Sequence, residues 1–173
     1  MNVNSHNPLS PIIKLTDEIK KCQDAGAISA TVIMVYVAID SMAFLSMPEW
    51  RTKQNQNDFI AWVNMYLKAS PESVYQYDGR DVYGARCAIL HSYSIDAYYH
   101  QQNSEVKMFA YHDGGRHEYN AEIDNRLIVI GVNSLVNDFG VALVKFIQAI
   151  NTDVSLRQRV ANRIPRLIET MPI

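Results

Sequence analysis

The chain has little cysteine and a net charge close to zero. The first argues against a disulfide or zinc framework, and the second against a globally basic nucleic-acid binder. Its 173 residues include two cysteines, Cys22 and Cys87, which are too few for a disulfide framework and lack the spacing of a zinc site. The formal net charge is -2, so any contact with nucleic acid must come from a local patch. The N-terminus also lacks a signal-peptide pattern, so we expect a reducing, cytoplasmic location.

Signature motifs are missing as well. There is no Walker loop, G-x-G-x-x-G, H-E-x-x-H or G-x-S-x-G, so nucleotide hydrolysis, dehydrogenase, zinc protease and serine hydrolase activities lose their usual support. His112, Asp113 and His117 flank a Gly-Gly turn, but two imidazoles and one carboxylate are weak grounds for a metal, and we interpret them as a solvated turn. We therefore expect neither a metal nor a cofactor.

No repeat, low-complexity tract or change of composition divides the chain. The sequence predicts a flexible N-terminal arm over residues 1–10 and a single domain over residues 11–173.

Hydrophobic residues, in contrast, make up 48% of the chain, and they are concentrated in one long run. Residues 25–47 are nearly all apolar, with Asp40 as the only charge, and the run is as long as a membrane span. An aspartate at the centre of a bilayer costs about 2.5 to 3.5 kcal/mol. We therefore interpret the run as the buried central helix of a bundle and predict no membrane partner.

The remaining pattern is mainly helical. Apolar residues at helical spacing and the positions of proline and glycine predict six helices. They run over about 11–22, 27–47, 58–70, 81–99, 133–150 and 152–167, the fourth opened by Asp81 and the fifth capped by Asn133 or Ser134. Alternating residues at 106–111, a Gly-Gly turn and an aliphatic run at 127–130 predict an antiparallel hairpin. The predicted fold is mainly α, a bundle of five or six helices with an accessory β-hairpin.

The fourth predicted helix carries Arg86 and His91, five positions apart. Arginine offers a fixed fork of donors that matches phosphate oxygens, and histidine titrates near neutral pH. Five residues place the two side chains about 140° apart around an ideal helix. Either the arginine curls round the helix, or a second copy of the chain completes the site, and the second alternative predicts a homodimer.

The stretch Tyr83-x-x-Arg86-Cys87-x-x-x-His91 resembles the motif of HEPN-domain proteins, and the segment AIDSMAFL around Asp40 resembles the partner helix of those families. The resemblance covers about residues 27–99. It implies a helical bundle that often forms a homodimer, and many similar proteins are metal-independent endoribonucleases.

On this resemblance, Arg86 stabilises the phosphorane-like charge and His91 moves a proton while the RNA 2′-hydroxyl attacks its own phosphate. The residues predicted to support the pair are Asp40, Tyr83, Cys87 and Ser92. Cys87 stands where catalytic members usually carry a polar residue.

The same residues have a structural interpretation. An aspartate in so apolar a run needs a partner, and Arg86 is the best candidate, so the two residues and His91 can form a polar cluster in a non-catalytic binding or scaffold module. Gly84 either permits close helix packing or exposes backbone to a phosphate.

Two further groups of residues are candidates for RNA contact. The arginines of the last helix either form a solvated face or guide the RNA backbone; they are Arg157, Arg159, Arg163 and Arg166. Tyr93, Tyr98 and Tyr99 either stack bases or fill a half-buried helix face.

Overall fold

A computed structural model describes residues 8–168. In chain order it contains α1 (Ser10–Asp24), α2 (Ile28–Ser46), α3 (Gln56–Tyr66), α4 (Gly79–Ser92), α5 (Tyr98–Gln102), β1 (Met108–His112), β2 (Leu127–Gly131), α6 (Val132–Thr152), α7 (Val154–Arg163) and a 3₁₀ turn (Ile164–Arg166). The predicted mainly helical class with accessory strands is confirmed.

The ends of the chain differ from the prediction or fall outside the description. α1 begins at Ser10, inside the predicted arm, and Pro11 lies in its first turn, where its missing N–H is no loss. The rest of the arm, residues 1–7, and the last part of the predicted domain, residues 169–173, lie outside the described residues.

α2 is the centre of the bundle. It contacts α1, α3, α4, α6 and α7, and residues on most of its circumference are buried, among them Val35, Tyr36, Ile39 and Met42. The helix ends because Met47 adopts an extended backbone before Pro48. α2 meets the length and composition of a membrane span, and half of that stretch is buried inside the fold, which supports its interpretation as a core helix.

Side-chain caps fix where two helices begin. Asn55 and Asp58 form a capping box at α3, and Asp78 and Asp81 form another at α4. α4 therefore starts at Gly79, two residues before the predicted start, because Asp81 belongs to the first turn and Asp78 is the cap. At α6 the predicted caps are wrong: the helix follows β2 directly and has no side-chain cap.

α4 ends at Ser92, whereas the sequence predicted a helix to Tyr99. Tyr93 adopts the left-handed conformation at φ 48°, and its N–H and that of Ser94 return to the carbonyls of Ile89 and Ala88. This is the arrangement that usually has glycine at the left-handed position. With tyrosine there, the sequence shows no stop signal, so one predicted helix is in fact α4 and the short α5.

The two strands are parallel, so the predicted antiparallel hairpin is wrong. Met108 pairs with Leu127 and His112 with Gly131, in the same direction. The connection over residues 113–126 is long enough for a crossover, which parallel strands require. Glu118, within it, forms an antiparallel bridge to Val129. The chain therefore reverses at the Gly-Gly turn and pairs with β2 at Glu118, before it continues to the start of β2 itself.

Candidate functional site

Asp40 and Arg86 join α2 to α4. Nε and Nη2 of Arg86 each lie 2.9 Å from Oδ2 of Asp40, so Arg86 is the counter-charge that the sequence predicted for Asp40. Nε2 of Gln54 donates to Oδ1 and to the backbone carbonyl of Asp40. Burial raises the pKa of the Asp40 carboxyl, and the positive charge of Arg86 opposes that rise.

Arg86 also reaches His91 within the same chain. Nη1 of Arg86 lies 3.0 Å from Nε2 of the exposed His91. Arginine has only donors, so Nε2 accepts and the proton of the neutral ring is on Nδ1. The arginine therefore curls round the helix, and a second copy is not needed for this contact. The neighbouring Cys87 interacts with the guanidinium as well, so Arg86 shares its donors among Asp40, His91 and Cys87.

Tyr83 and Cys87 complete the inner side of this cluster. The Tyr83 ring packs edge-on against Phe59 and Tyr99, with centroids 5.6 and 5.0 Å away. Burial, together with the neighbouring Cys87, raises the pKa of Tyr83 to about 12, so its phenol stays neutral at physiological pH. Cys87 is buried. Ser92 is exposed at the last residue of α4.

Gly84 is a packing glycine. It is buried in α4, and a Cβ at this position would lie 2.6 Å from Nε2 of His100. His100 is itself buried: its Nδ1 accepts from the N–H of Ala97 and its Nε2 lies 3.0 Å from the carbonyl of Lys107. Burial lowers the pKa of His100. His100 was not among the predicted site residues, because its hydrogen-bond partners are backbone groups, which carry no sequence signal.

His117 corrects the interpretation of the Gly-Gly turn as wholly solvated. It is 5% exposed, and its Nε2 lies 3.2 Å from Oδ2 of Asp138, which also accepts from the hydroxyl of Tyr77 at 2.7 Å. Nδ1 of His117 accepts from the N–H of Gly131, so both ring nitrogens have partners. The sequence signal that could have indicated this contact was Asp138, an acidic residue directly before the core residue Phe139. Within residues 8–168 no three His, Cys, Asp or Glu side chains are placed to hold a metal ion.

Two of the four arginines of the last predicted helix donate to backbone carbonyls at the end of α2. Arg163 is 7% exposed and donates to the carbonyls of Met47 and Pro48, and Arg159 donates to the carbonyl of Ser46. Ser46 lies about 9 Å along α2 from Asp40, at a rise of about 1.5 Å per residue. These two arginines therefore satisfy carbonyls at the C-terminal end of α2.

The other two arginines are exposed. Arg157 donates to the carbonyl of Ile150 at the end of α6, and the guanidinium of Arg166 lies 4.9 Å from the ring centre of Phe44. Both retain a charge at the surface.

The three tyrosines differ in exposure. Tyr99 is half-buried against Tyr83, as expected for a helix face. Tyr93 and Tyr98 are 69% and 73% exposed, so they do not fill a half-buried face.

Comparison of the chain with models of known families, with curated proteins and with solved structures found no match.

Proposed function

We propose that the protein is a HEPN-like, metal-independent endoribonuclease that acts through Arg86 and His91. The observation that supports this most is the 3.0 Å contact between Nη1 of Arg86 and Nε2 of the exposed His91. Asp40 fixes the guanidinium from the other side. A phosphate-binding group and a titratable base thus stand together at the surface.

The reaction follows from these side chains. The 2′-hydroxyl displaces Arg86 from Nε2 of His91, which takes its proton as the oxygen attacks the adjacent phosphorus. The N–H of Arg86 that is released from His91 stabilises the charge on the phosphorane oxygens. The bond to the 5′-oxygen breaks, and the imidazolium returns a proton to that oxygen. The products are a 2′,3′-cyclic phosphate and a free 5′-hydroxyl.

A homodimer and an RNA substrate belong to the same proposal. The contact within one chain removes the geometric reason for a second copy, but exposed apolar residues on α1 and α2 support one. Ile13 and Val37 are 46% and 37% exposed, and Val37 stands one turn before Asp40.

Arg157 and Arg166 are the exposed charges of the last predicted helix that are available to the RNA backbone. A cytoplasmic location and the absence of a membrane partner stay predictions.

A non-catalytic binding or scaffold module is the second candidate. The favouring observation is the Asp40–Arg86 ion pair, which neutralises the arginine and links two core helices. In that case the cluster stabilises the fold.

Incubation with mixed RNA in excess chelator separates the two candidates. For a nuclease, the wild-type protein yields fragments that end in 2′,3′-cyclic phosphate. His91→Ala abolishes cleavage, and because His91 is exposed, its melting temperature stays close to that of the wild type. His91→Gln, which keeps an acceptor for Arg86 but does not titrate, is inactive too. Absence of cleavage by the wild type, with marked destabilisation by Arg86→Ala, contradicts the nuclease and supports the module.

Cys87→Asn tests the departure from the motif. Increased cleavage by this variant shows a weakened catalytic site, whereas inactivity with an unchanged melting temperature favours the module. The melting temperature must be measured because Cys87 is buried.

A further inference from the structure

Tyr93 is an exposed aromatic residue held in a strained backbone conformation. Among the described residues it is the one non-glycine residue with positive φ, and the left-handed conformation costs an L-residue free energy that glycine does not lose. Its ring is 69% exposed, so burial does not compensate. The conformation itself serves to end α4, but tyrosine is an unusual residue to hold it, and such an outlier motivates a functional hypothesis.

The ring of Tyr93 borders a surface cavity of about 330 Å³. The cavity lies between α4, the start of α2 and β1, and its apolar walls include Ile28, Ile89 and Ile95. This volume is at the lower end of the range of small-molecule sites, about 300 to 1,000 Å³. It suits a small ring system more than a large cofactor.

The polar side-chain groups of this lining that are open to a ligand are the hydroxyls of Ser29 and Tyr93. The hydroxyl of Tyr111 already bonds to that of Tyr36, at 2.7 Å, and Ser94 bonds to Asp96. The hydroxyl of Ser29 has no hydrogen-bond partner within residues 8–168. An aromatic face, aliphatic walls and the two free hydroxyls match a planar ring with polar edges, as in a nucleobase.

The cavity is close to the proposed catalytic pair along one helix. Ile89 lies one turn after Arg86, and Tyr93 follows His91 by two residues. At a rise of about 1.5 Å per residue, Arg86 and Tyr93 are separated by about 10 Å along the axis. A base in the cavity thus belongs to the same short stretch of strand as a phosphate at Arg86.

We infer that the cavity beside Tyr93 binds an unpaired nucleobase of single-stranded RNA and so places the strand on Arg86 and His91. This inference rests on the proposed function for its ligand class. Since a base inside a duplex is stacked on both faces and cannot enter, the cavity selects single-stranded segments.

The test is the binding of a short, single-stranded 2′-O-methyl oligoribonucleotide carrying a fluorophore, followed by fluorescence anisotropy. Its methylated 2′-oxygen cannot attack, so binding is measured without cleavage. Tyr93→Gly is expected to weaken binding about 5- to 150-fold, the range for one lost stacked base. Glycine suits the left-handed backbone, so the melting temperature of this variant stays equal or rises. Tyr93→Phe keeps the ring and retains affinity.

Trp50→Ala is the matched control, because Trp50 is 77% exposed in the α2–α3 loop and does not line the cavity. It is expected to leave binding unchanged. Equal affinity of wild type and Tyr93→Gly, equal affinity for the duplex form, or no binding by the wild type each overturns the inference.

The two proposals fail separately. Tyr93-dependent binding without cleavage of unmethylated RNA rejects the nuclease and keeps the nucleobase site. If the wild type cleaves RNA and Tyr93→Gly changes neither cleavage nor binding, the nucleobase site is rejected and the nuclease is kept.

Discussion

Nε of Arg86 lies 2.9 Å from Oδ2 of Asp40, and this contact ties α4 to the central helix α2. Both side chains are partly exposed, so solvent screens the pair. Urea unfolding measures how much the Asp40–Arg86 ion pair stabilises the fold, and RNA cleavage measures whether it holds Arg86 in place beside His91.

Asp40→Asn and Arg86→Gln are expected to be less than additive in stability, because each leaves the other residue without its partner. Urea unfolding of the two single variants and the double variant should give a coupling free energy of about 1 to 2 kcal/mol. Strict additivity would mean that the ion pair contributes nothing to the fold.

Gly84→Ala is expected to destabilise the protein, since the added Cβ lies 2.6 Å from Nε2 of the buried His100. The expected loss in the free energy of unfolding is about 1 to 3 kcal/mol. Gly140→Ala is the matched control in α6, where a Cβ meets nothing within 4 Å, and it should stabilise by about 0.5 to 1 kcal/mol. Chemical denaturation of both variants checks the opposite signs. A stabilised Gly84→Ala would show that His100 does not pack against α4.

Arg163→Met is expected to lower the free energy of unfolding by about 2 to 4 kcal/mol, because it leaves the carbonyls of Met47 and Pro48 without their donor. Arg157→Met removes an exposed guanidinium from the same helix and should cost less than about 1 kcal/mol. Thermal unfolding of the two variants side by side measures the difference. Equal effects would contradict the distinction between a buried capping arginine and a surface charge.

Protonation of His100 should destabilise the fold. Burial holds the folded-state pKa of His100 below its ordinary value of 6.5, so the unfolded chain binds the proton first as the pH falls. Its contribution to stability is therefore fully present above pH 6.5 and is lost as the pH falls from there through the lowered pKa.

The urea midpoint measured between neutral and mildly acidic pH checks this. His100→Asn, which keeps an acceptor for the N–H of Ala97, should start from a lower midpoint and show a flatter decrease. A decrease as steep as that of the wild type would assign the pH dependence to other groups.

Local signals in the sequence were enough for much of the fold. The long apolar run predicted the central helix, hydrophobic periodicity predicted four of the other helices, and proline and glycine marked several ends, because these effects act within one or two turns. The pairing of Asp40 with Arg86 was also predictable, since a carboxylate in so apolar a helix needs a counter-charge. The division of the fourth predicted helix into α4 and α5 was not predictable, because Tyr93 carries no stop signal.

By itself, then, the sequence determined the helical class, the central position of α2 and the residue types that meet around Arg86. Tertiary structure decided three things: the parallel pairing of β1 with β2, the burial of His100 and His117, and the side of α4 toward which Arg86 extends. Each of the three depends on one of two things. Either the contacting residues are distant along the chain, or the contact is made by backbone groups, which carry no residue-specific signal. Local periodicity and spacing do not predict such contacts, because the contacts form only when the folded backbone brings the groups together.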